Sequence, residues 1–252
     1  MVTGVPAFNE CMSASRGYQE KEMPEKWEVV ECLYSQNIAP FTEQKIPKKI
    51  HQIWLGSPVS DEHKEFIQTI KDNNSDYEYK LWTDKDVESF DFNNKKIFHT
   101  ASNLGQKSDI LRYAILKEFG GIYLDIDFIC YKSFDSLLHL DFFVGVAYDK
   151  EPIVFNGLIG CVPQNNIICA ANSIDEIKDG GGMQTSMEVI KTTGPWFLTE
   201  KIFKNYKEAG KVVLLPTSYF YPFPNHVHKH GDNYKSYIKE ETICVHMWHG
   251  KW

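Results

Sequence analysis

The alternation of short apolar runs with longer amphipathic runs is the feature that most constrains the fold. Strand-like runs at 46–56 and 77–83 precede segments with helical periodicity at 60–74 and 105–121. Ser60 is a typical N-cap, and glycines follow the second helical segment. Strands that alternate with helices are typical of a parallel sheet covered by helices. The sequence therefore predicts an α/β fold with a mainly parallel sheet flanked by helices.

The first 45 residues differ from the rest in character. They are polar except for the stretch EKWEVVECLYSQNI, which carries apolar side chains at roughly helical spacing. These side chains are Trp27, Val30, Leu33 and Tyr34. We expect a short N-terminal helical appendage (1–45) that docks on a main domain (46–252).

Composition narrows the class of protein. The chain has 252 residues, of which 42% are hydrophobic, enough for one sizeable globular domain. Its net charge of -7, with no basic tract longer than PKK, argues against nucleic-acid binding. The six cysteines form no CxxC pair and are expected to be free thiols in a reducing compartment.

Targeting signals are not evident in the sequence. No apolar stretch approaches the roughly 20 residues of a membrane span, and the amino terminus does not resemble a signal peptide. We therefore expect a cytoplasmic protein, with peripheral association at the inner face of the plasma membrane left open.

The segment GGIYLDIDFICY (120–131) places two aspartates in an otherwise apolar strand-like run. Alternation along a strand puts Tyr123, Asp125 and Asp127 on one face. Burying a carboxylate without a partner is costly, and a neighbouring carboxylate adds repulsion. A positive group is therefore expected against this face.

A divalent cation is one such group. Mg²⁺ and Mn²⁺ take oxygen ligands and commonly keep positions for substrate phosphates. Asp125 and Asp127 thus predict a metal site that holds a diphosphate. A solvated strand end without a ligand is the alternative.

Two further charged residues precede the aspartates. Asp109 and Arg112 stand three positions apart on the helical segment and share one face. Ligand sites of α/β sheets lie at the carboxyl ends of strands, so these side chains could contact ligand hydroxyls and phosphate there. An ordinary ion pair within the helix is the alternative.

The carboxyl terminus, HMWHGKW, is unusually rich in histidine and tryptophan. A third metal ligand at His246 and an aromatic lid formed by Trp248 or Trp252 would explain this composition. A chain that ends after Glu241 is then expected to fold but to lack activity.

Three segments occur in an order that resembles a known family. IPKKIHQIWLG, SDILRYAILKEFGGIYLDID and HMWHGKW look like the family 32 glycosyltransferases, which have a DXD sugar-binding region. This family includes fungal α-mannosyltransferases and bacterial capsule transferases, and is distantly similar to clostridial glucosylating toxins. The resemblance covers about residues 46–252.

The resemblance implies a GT-A (Rossmann-like) fold and a nucleotide-sugar donor, with a UDP-sugar favoured over a GDP-sugar. It also implies Mn²⁺ or Mg²⁺ and retention of the anomeric configuration. The acceptor would be a saccharide or a lipid-linked saccharide, and a role in bacterial capsular or surface polysaccharide synthesis is expected.

Site roles follow from the same resemblance. Asp125, Asp127 and Arg112 would be the catalytic residues. Asp127 would bind the metal directly, with His246 completing the shell and Asp125 also contacting the ribose and sugar of the donor. Donor binding would involve Ile53 and Trp54 at the base, Asp109, Arg112 and Tyr123 at the sugar and phosphate, and Trp248 and Trp252 as a cover.

Retention also agrees with the carboxylates of the second half. Asp149, Glu151 and Asp175 lie in segments that resemble solvated loop and helix, so none is placed as an inverting base. The departing diphosphate is then the expected proton acceptor.

Two other functions remain open. A haloacid-type phosphohydrolase also uses Asp-x-Asp after a strand, but a Thr or Val normally stands four residues beyond the first Asp, where this chain has Ile129. A non-catalytic module that binds nucleotide sugars would share the same pocket, and turnover alone separates it.

Overall fold

A computed structural model describes residues 25–38, 43–147, 152–174, 186–223 and 233–249. Eight strands lie within these ranges. In chain order they are β1 (Lys49–Ile53), β2 (Glu78–Trp82), β3 (Gly121–Leu124), β4 (Phe128–Cys130), β5 (Phe142–Ala147), β6 (Ile153–Cys161), β7 (Val212–Leu215) and β8 (Cys244–His246).

Helices connect most of the strands. In chain order they are α1 (Glu25–Asn37), α2 (Asp61–Asn73), α3 (Asp84–Ser89), α4 (Lys95–Thr100), α5 (Leu104–Phe119), α6 (Asn166–Ala171), α7 (Ser186–Thr192), α8 (Pro195–Asn205) and α9 (Thr217–Phe220). Short 3₁₀ turns occur at Asp135–Leu137, Tyr206–Glu208 and Tyr234–Tyr237. None of the helices in the described residues is long and apolar enough to cross a membrane.

Six of the strands form one central sheet in the order β2-β1-β3-β6-β5-β7. The pairs β1–β2, β1–β3 and β5–β7 are parallel, whereas β6 runs antiparallel to both of its neighbours. A single reversed strand thus interrupts an otherwise parallel sheet, which confirms the predicted mainly parallel α/β fold. The remaining two strands, β4 and β8, pair antiparallel in a small separate sheet.

The N-terminal helix predicted from the sequence is present as α1. It packs against β7, at one edge of the central sheet. Val30 and Tyr34 are buried in the main core, and the Tyr34 hydroxyl lies 3.0 Å from that of Tyr219. The docking of this helix agrees with the sequence, while the boundary between an appendage and a main domain at residue 46 stays a prediction.

The connection from α5 to β3 positions the site. α5 ends at Phe119 with Gly120 as its C-cap, and both Gly120 (φ +59°) and Gly121 (φ +87°) have the positive φ that favours glycine. A Cβ at Gly121 would also stand 2.6 Å from the Lys49 carbonyl oxygen in β1. The chain can therefore reverse tightly here and still lie against β1.

The lengths of α5 and of the strand that follows it explain why Asp125 lies near Asp109 and Arg112. From Asp109 to the end of α5 the helix rises roughly 15 Å, and from Gly121 to Asp125 the returning chain covers roughly 13 Å. The reversal therefore returns Asp125 to the level of the first turns of α5, where Asp109 and Arg112 stand.

Candidate active site

Asp125 and Asp127 lie in the turn between β3 and β4. β3 ends at Leu124, so the expected continuous strand through both aspartates is wrong. The turn lets the chain leave the central sheet and pair with β8. Tyr123 and Asp125, which are expected to share one face, are in contact, because the Tyr123 hydroxyl donates to Asp125 Oδ1 at 2.6 Å. The aspartates thus project from the carboxyl end of a buried strand.

Arg112 is the positive group closest to Asp125 on α5. Its Nη1 lies 3.4 Å from Asp125 Oδ1 and donates to the Asn156 carbonyl oxygen at 2.6 Å, while its Nη2 lies 3.1 Å from Asp109 Oδ1. Nε and Nη2 also donate to Ser108. The side chain is 3% exposed, so these protein contacts surround the guanidinium and fix both carboxylates.

Asp109 is a second buried carboxylate of this site. It accepts hydrogen bonds from Asn156 Nδ2 at 2.7 Å and from Thr193 Oγ1 at 3.0 Å. Burial raises the pKa of Asp109 to about 6, although the Arg112 guanidinium and the Thr193 hydroxyl favour the ionised form. α5, β6 and the α7–α8 connection therefore meet at this carboxylate.

Asp127 contacts the C-terminal segment. Its Oδ1 lies 3.1 Å from His246 Nε2, and its Oδ2 accepts the backbone N–H of His249 at 2.8 Å. The Met247 N–H donates to the Asp127 carbonyl oxygen at 2.9 Å. Because β8 pairs with β4 in the register Phe128↔His246, the small sheet delivers His246 to the aspartate.

This pair is electrostatically complementary. Burial would raise the pKa of Asp127, but the His246 imidazolium and the hydrogen bonds from His246 and the His249 N–H lower it to about 2. Burial opposes a charged His246, yet the Asp127 carboxylate raises the His246 pKa above its usual value. In Asp125, by contrast, burial raises the carboxyl pKa in spite of Arg112.

Asp125, Asp127 and His246 could hold a metal ion. Each offers a ligand atom, and these atoms lie within 4.8 Å of one another. Nδ1 of His246 is buried and has no hydrogen-bond partner among the described residues. Two carboxylates and one imidazole are ligands that suit a divalent cation such as Mn²⁺. The predicted metal ligands are thus brought together by the fold, and their donor set fits the group.

Sequence reasoning missed two residues that shape the aspartate turn. Gln52 is fully buried in β1, donates to the Asp125 carbonyl oxygen at 3.1 Å and accepts from the Tyr79 hydroxyl at 2.8 Å. The Gly157 carbonyl oxygen accepts the Asp125 N–H at 2.8 Å, and a Cβ there would stand 2.7 Å from Asp125 Oδ2. A polar residue inside an apolar strand was the available signal for Gln52.

Ile53 and Trp54 lie at the carboxyl end of β1. That strand is the parallel neighbour of β3, so both residues share the sheet edge from which Asp125 projects. Ile53 is buried, and the Trp54 ring packs 5.2 Å from the His63 ring. The Trp54 Nε1 atom is buried without a partner in the described part of the chain. Their contact with a nucleotide base stays a prediction.

The described C-terminal residues, which end at His249, are packed against the rest of the protein. The Trp248 ring lies 4.4 Å from the His246 ring and 5.1 Å from the Phe155 ring, and its Nε1 donates to the Phe223 carbonyl oxygen at 2.6 Å. Trp252 falls outside the described residues, so its role as a cover stays a prediction.

The expectation that a chain ending after Glu241 folds conflicts with the burial of β8. Such a deletion would remove a paired strand whose Cys244 and Val245 are fully buried, together with buried Ile243. The physical reason is that β8 fills space between β4 and α9 as well as carrying His246.

Comparison with known families agrees with this geometry. Residues 60–143 match the family described as "Glycosyltransferase sugar-binding region containing DXD motif". A mannosyl phosphorylinositol ceramide synthase of Saccharomyces cerevisiae is 32% identical over 192 residues, which cover 72% of this chain and 49% of that protein. Inositol phosphoceramide mannosyltransferase 3 of Schizosaccharomyces pombe is 34% identical over 114 residues, covering 44% of this chain and 32% of that protein. The chain thus spans half or less of the length of these two relatives.

Solved structures share the fold. The PaToxG glycosyltransferase superposes with a TM-score of 0.51 at 20% identity, covering 72% of this chain and 79% of that one. The catalytic domain of alpha-toxin from Clostridium novyi gives 0.52 at 11% identity, covering 88% and 80%. At these identities the likeness concerns the fold, which is that of GT-A domains.

Proposed function

We propose that the chain is a metal-dependent glycosyltransferase, because residues 60–143 match the glycosyltransferase sugar-binding region that contains a DXD motif. It moves a hexose or N-acetylhexosamine from a nucleotide sugar to a saccharide-containing acceptor and retains the anomeric configuration. Asp127, His246 and Asp125 hold Mn²⁺ or Mg²⁺. Arg112, Asp109 and Tyr123 form the part of the site that receives the sugar and phosphates.

One observation carries the proposal. Asp125, Asp127 and His246, which come from a turn and a distant strand, present ligand atoms within 4.8 Å of one another. Titratable groups whose pKa values are shifted by burial and by charged neighbours cluster at functional sites. A bound divalent cation would neutralise negative charge on a diphosphate leaving group.

The protein groups supply position and charge. Arg112 holds Asp125 through its Nη1 and Asp109 through its Nη2, and Tyr123 donates to Asp125. Groups that are fixed before the reaction need no reorganisation as charge develops, which is the main source of electrostatic catalysis. Asp109 and Asp125 can accept hydrogen bonds from sugar hydroxyls, which orients the anomeric carbon.

The reaction is a substitution at that carbon. The acceptor oxygen forms a bond to the anomeric carbon while the bond from this carbon to the diphosphate oxygen breaks. The acceptor proton passes to the departing diphosphate. Since the proton acceptor lies on the face that it leaves, attack comes from the same face and an α-linked donor gives an α-linked product.

Retention is supported by how the carboxylates are used. Within the described residues of the site, Asp109 is engaged by Arg112 and Thr193, Asp125 by Arg112 and Tyr123, and Asp127 by His246. None of the three is left over as a general base. The carboxylates considered earlier for this role, Asp149, Glu151 and Asp175, lie outside the described residues.

A lipid-linked acceptor is favoured over a free sugar. The large apolar side chains that stand most exposed in the described ranges are Leu104, Met187 and Trp196. In the sequence, Leu104 precedes and Trp196 follows the residues whose contacts join α5 to the end of α7 and to the α7–α8 connection, namely Gln106 to Thr192 and Asp109 to Thr193. Leu104, Met187 and Trp196 are the side chains that we expect an acyl chain of the acceptor to contact, because they stand on the segments that Asp109 and Thr193 join.

The names of two relatives, a mannosyl phosphorylinositol ceramide synthase and an inositol phosphoceramide mannosyltransferase, both include a ceramide lipid, which supports a lipid acceptor. A place in bacterial capsule or surface polysaccharide synthesis stays a prediction from the sequence. The preference for UDP over GDP likewise stays a prediction, so both nucleotides must be tested.

Turnover tests the proposal directly. The protein is incubated with a panel of UDP- and GDP-sugars in Mn²⁺, in Mg²⁺ and in EDTA, each with free sugar or with a lipid-linked saccharide. Released nucleoside diphosphate and glycosylated product are measured, and proton NMR of the product reads the anomeric configuration. We expect one donor class to turn over in Mn²⁺ and not in EDTA, with an α-linked product.

A binding measurement separates catalysis from simple recognition. A ligand that binds only the native state raises Tm, so Mn²⁺ together with UDP or GDP should stabilise the protein more than either alone. Stabilisation without any turnover would assign a binding module. Turnover unaffected by EDTA, or a β-linked product from an α-donor, would overturn the metal or the retaining assignment respectively.

A further inference from the structure

Two cysteines face each other in the small sheet that carries the site. Cys130 lies in β4 and Cys244 in β8, and the two are directly opposite in the antiparallel register. Their Sγ atoms are 3.0 Å apart and both side chains are buried. Since 114 positions separate them in the chain, nothing in the sequence spacing pointed to this contact.

The position of the pair in the ladder matters. The Tyr131 N–H donates to the Ile243 carbonyl oxygen at 2.8 Å, one residue beyond Cys130 and one before Cys244. In an antiparallel ladder this pattern makes Cys130 and Cys244 a non-hydrogen-bonded pair, with Cα atoms roughly 4.5 Å apart and side chains close together. That separation falls inside the Cα range of disulfides, roughly 4.4–6.8 Å.

Residues around the pair hold this geometry. The Cys130 N–H points away from β8 and donates to Thr69 Oγ1 at 2.9 Å, and Asn73 Nδ2 donates to the Cys130 carbonyl oxygen at 3.1 Å. α2 therefore holds β4 through hydrogen bonds on the side of the strand that faces away from β8. A bond between the two sulfur atoms would require little movement of either strand.

We propose that Cys130 and Cys244 are an oxidation site that forms a cross-strand disulfide. The oxidant is a disulfide such as glutathione disulfide. One cysteine thiolate attacks it and releases one glutathione thiol, and the second cysteine thiolate displaces the other from the mixed disulfide. The two cysteines lose two electrons and two protons in total, and one glutathione disulfide becomes two glutathione thiols.

The bond would brace the proposed metal ligands. Asp127 stands in the turn that leads into β4, three residues before Cys130, and His246 lies in β8, two residues after Cys244. Joining the strands restricts the separation of β8 from β4 and so keeps His246 beside Asp127. It also constrains the unfolded chain over a long loop, which stabilises the native state.

Burial sets when the reaction can occur. Both cysteines are buried in the folded chain, so we expect the oxidant to act during folding or while β8 is detached. Refolding in a glutathione redox buffer therefore provides the test condition. The measured quantity is the covalent structure, determined by mass spectrometry, so the result does not depend on whether the chain transfers a sugar.

The wild-type chain is unfolded and reduced, then refolded with glutathione and glutathione disulfide, and the remaining thiols are alkylated. Intact mass and peptide mapping follow. We expect the loss of two hydrogen atoms and one linked peptide pair that contains Cys130 and Cys244. Tm of the oxidised protein should exceed that of the reduced protein by about 5–15 °C.

Matched variants check the assignment. Cys161→Ala removes another buried thiol, in β6, and should leave the linked pair intact, whereas Cys130→Ala or Cys244→Ala should abolish it. Full alkylation of Cys130 and Cys244 in refolded wild type would overturn the proposal. So would glutathione adducts on both, or an oxidised form that melts below the reduced one. These outcomes are read in the wild type, so a variant that fails to fold does not obscure them.

Discussion

His246 Nε2 lies 3.1 Å from Asp127 Oδ1, although one residue belongs to the last described strand and the other to the turn after β3. The contact exists because β8 pairs with β4 in one specific register. It joins the aspartate motif to the carboxyl terminus, and several measurable consequences depend on it.

Asp127→Asn should abolish metal-dependent transfer while the protein stays folded. The asparagine oxygen can still accept the His249 N–H, but it carries no charge to bind a cation or to pair with His246. We expect turnover to fall at least about 1,000-fold and Tm in EDTA to fall by a few degrees. Asp72→Asn, on the exposed side of α2, is the control. Normal turnover by Asp127→Asn would rule out the metal role.

Gln52→Leu should impair the site by loosening the aspartate turn. It leaves the Asp125 carbonyl oxygen and the Tyr79 hydroxyl without their partner, at a cost of about 1–3 kcal/mol. If this free energy is lost from the arrangement of the aspartate turn that is needed for catalysis, kcat/KM drops about 10–100-fold. Tyr79→Phe removes only the hydrogen bond from the Tyr79 hydroxyl to Gln52, and its kcat/KM should stay within about threefold of wild type. Equal losses in both variants would contradict the positioning role of Gln52.

Gly157→Ala should displace the Asp125 carboxylate, because the new Cβ would stand 2.7 Å from Oδ2. Asp125 is 18% exposed and can rotate away, so we expect turnover to fall more than tenfold with a Tm loss of only a few degrees. A double-mutant cycle with Asp125→Ala tests the cause. Once the carboxylate is gone, Gly157→Ala should add little further loss of stability.

Two shortened chains should behave differently. Ending the chain after Met247 keeps β8 but removes the Trp248 ring from His246 and the His249 N–H from Asp127. This form should fold, by circular dichroism and cooperative melting, with much weaker metal-dependent stabilisation. Ending it after Glu241 also removes β8 and should abolish cooperative unfolding. A cooperative melt of the shorter chain would show that β8 is dispensable for folding.

His51 should make stability depend on pH. It lies in β1, where Nε2 is 3.2 Å from the Gly120 carbonyl oxygen and Nδ1 accepts from Trp82 Nε1 at 3.3 Å. The neutral ring satisfies both contacts, whereas protonation would set two donors against each other at Trp82. Burial lowers the pKa of His51 to about 4, although the Gly120 carbonyl favours the charged form.

The direction of this pH dependence follows from which state of the chain binds the proton. Between pH 6.5 and about 4 the unfolded chain binds this proton and the folded chain does not, so stability falls as pH falls through that window. The full effect is about 3 kcal/mol. Denaturant melts of wild type and His51→Gln at pH 7.5 and pH 4.5 should show a smaller pH dependence in the variant. Parallel pH profiles would exclude His51 as the source.

The sequence alone determined the elements and the chemistry that they carry. Local periodicity and caps predicted α2 with Ser60 as its N-cap, α5 with its closing glycine, and the strands β1 and β2. These features depend on neighbours a few residues apart, which a linear pattern records. The Asp-x-Asp pair inside an apolar run predicted a bound ligand, because burying two carboxylates without a partner is costly.

The tertiary structure decided how distant groups are brought together at the site. The pairing of β8 with β4 brings His246 to Asp127 and Cys244 to Cys130, and β6 supplies Asn156 and Gly157 beneath Asp125. It also decided that Asp125 and Asp127 lie in a turn, because the chain must leave the central sheet there to start β4. Strand register and the choice of partner depend on packing across the whole sheet, and no local segment of sequence contains that information.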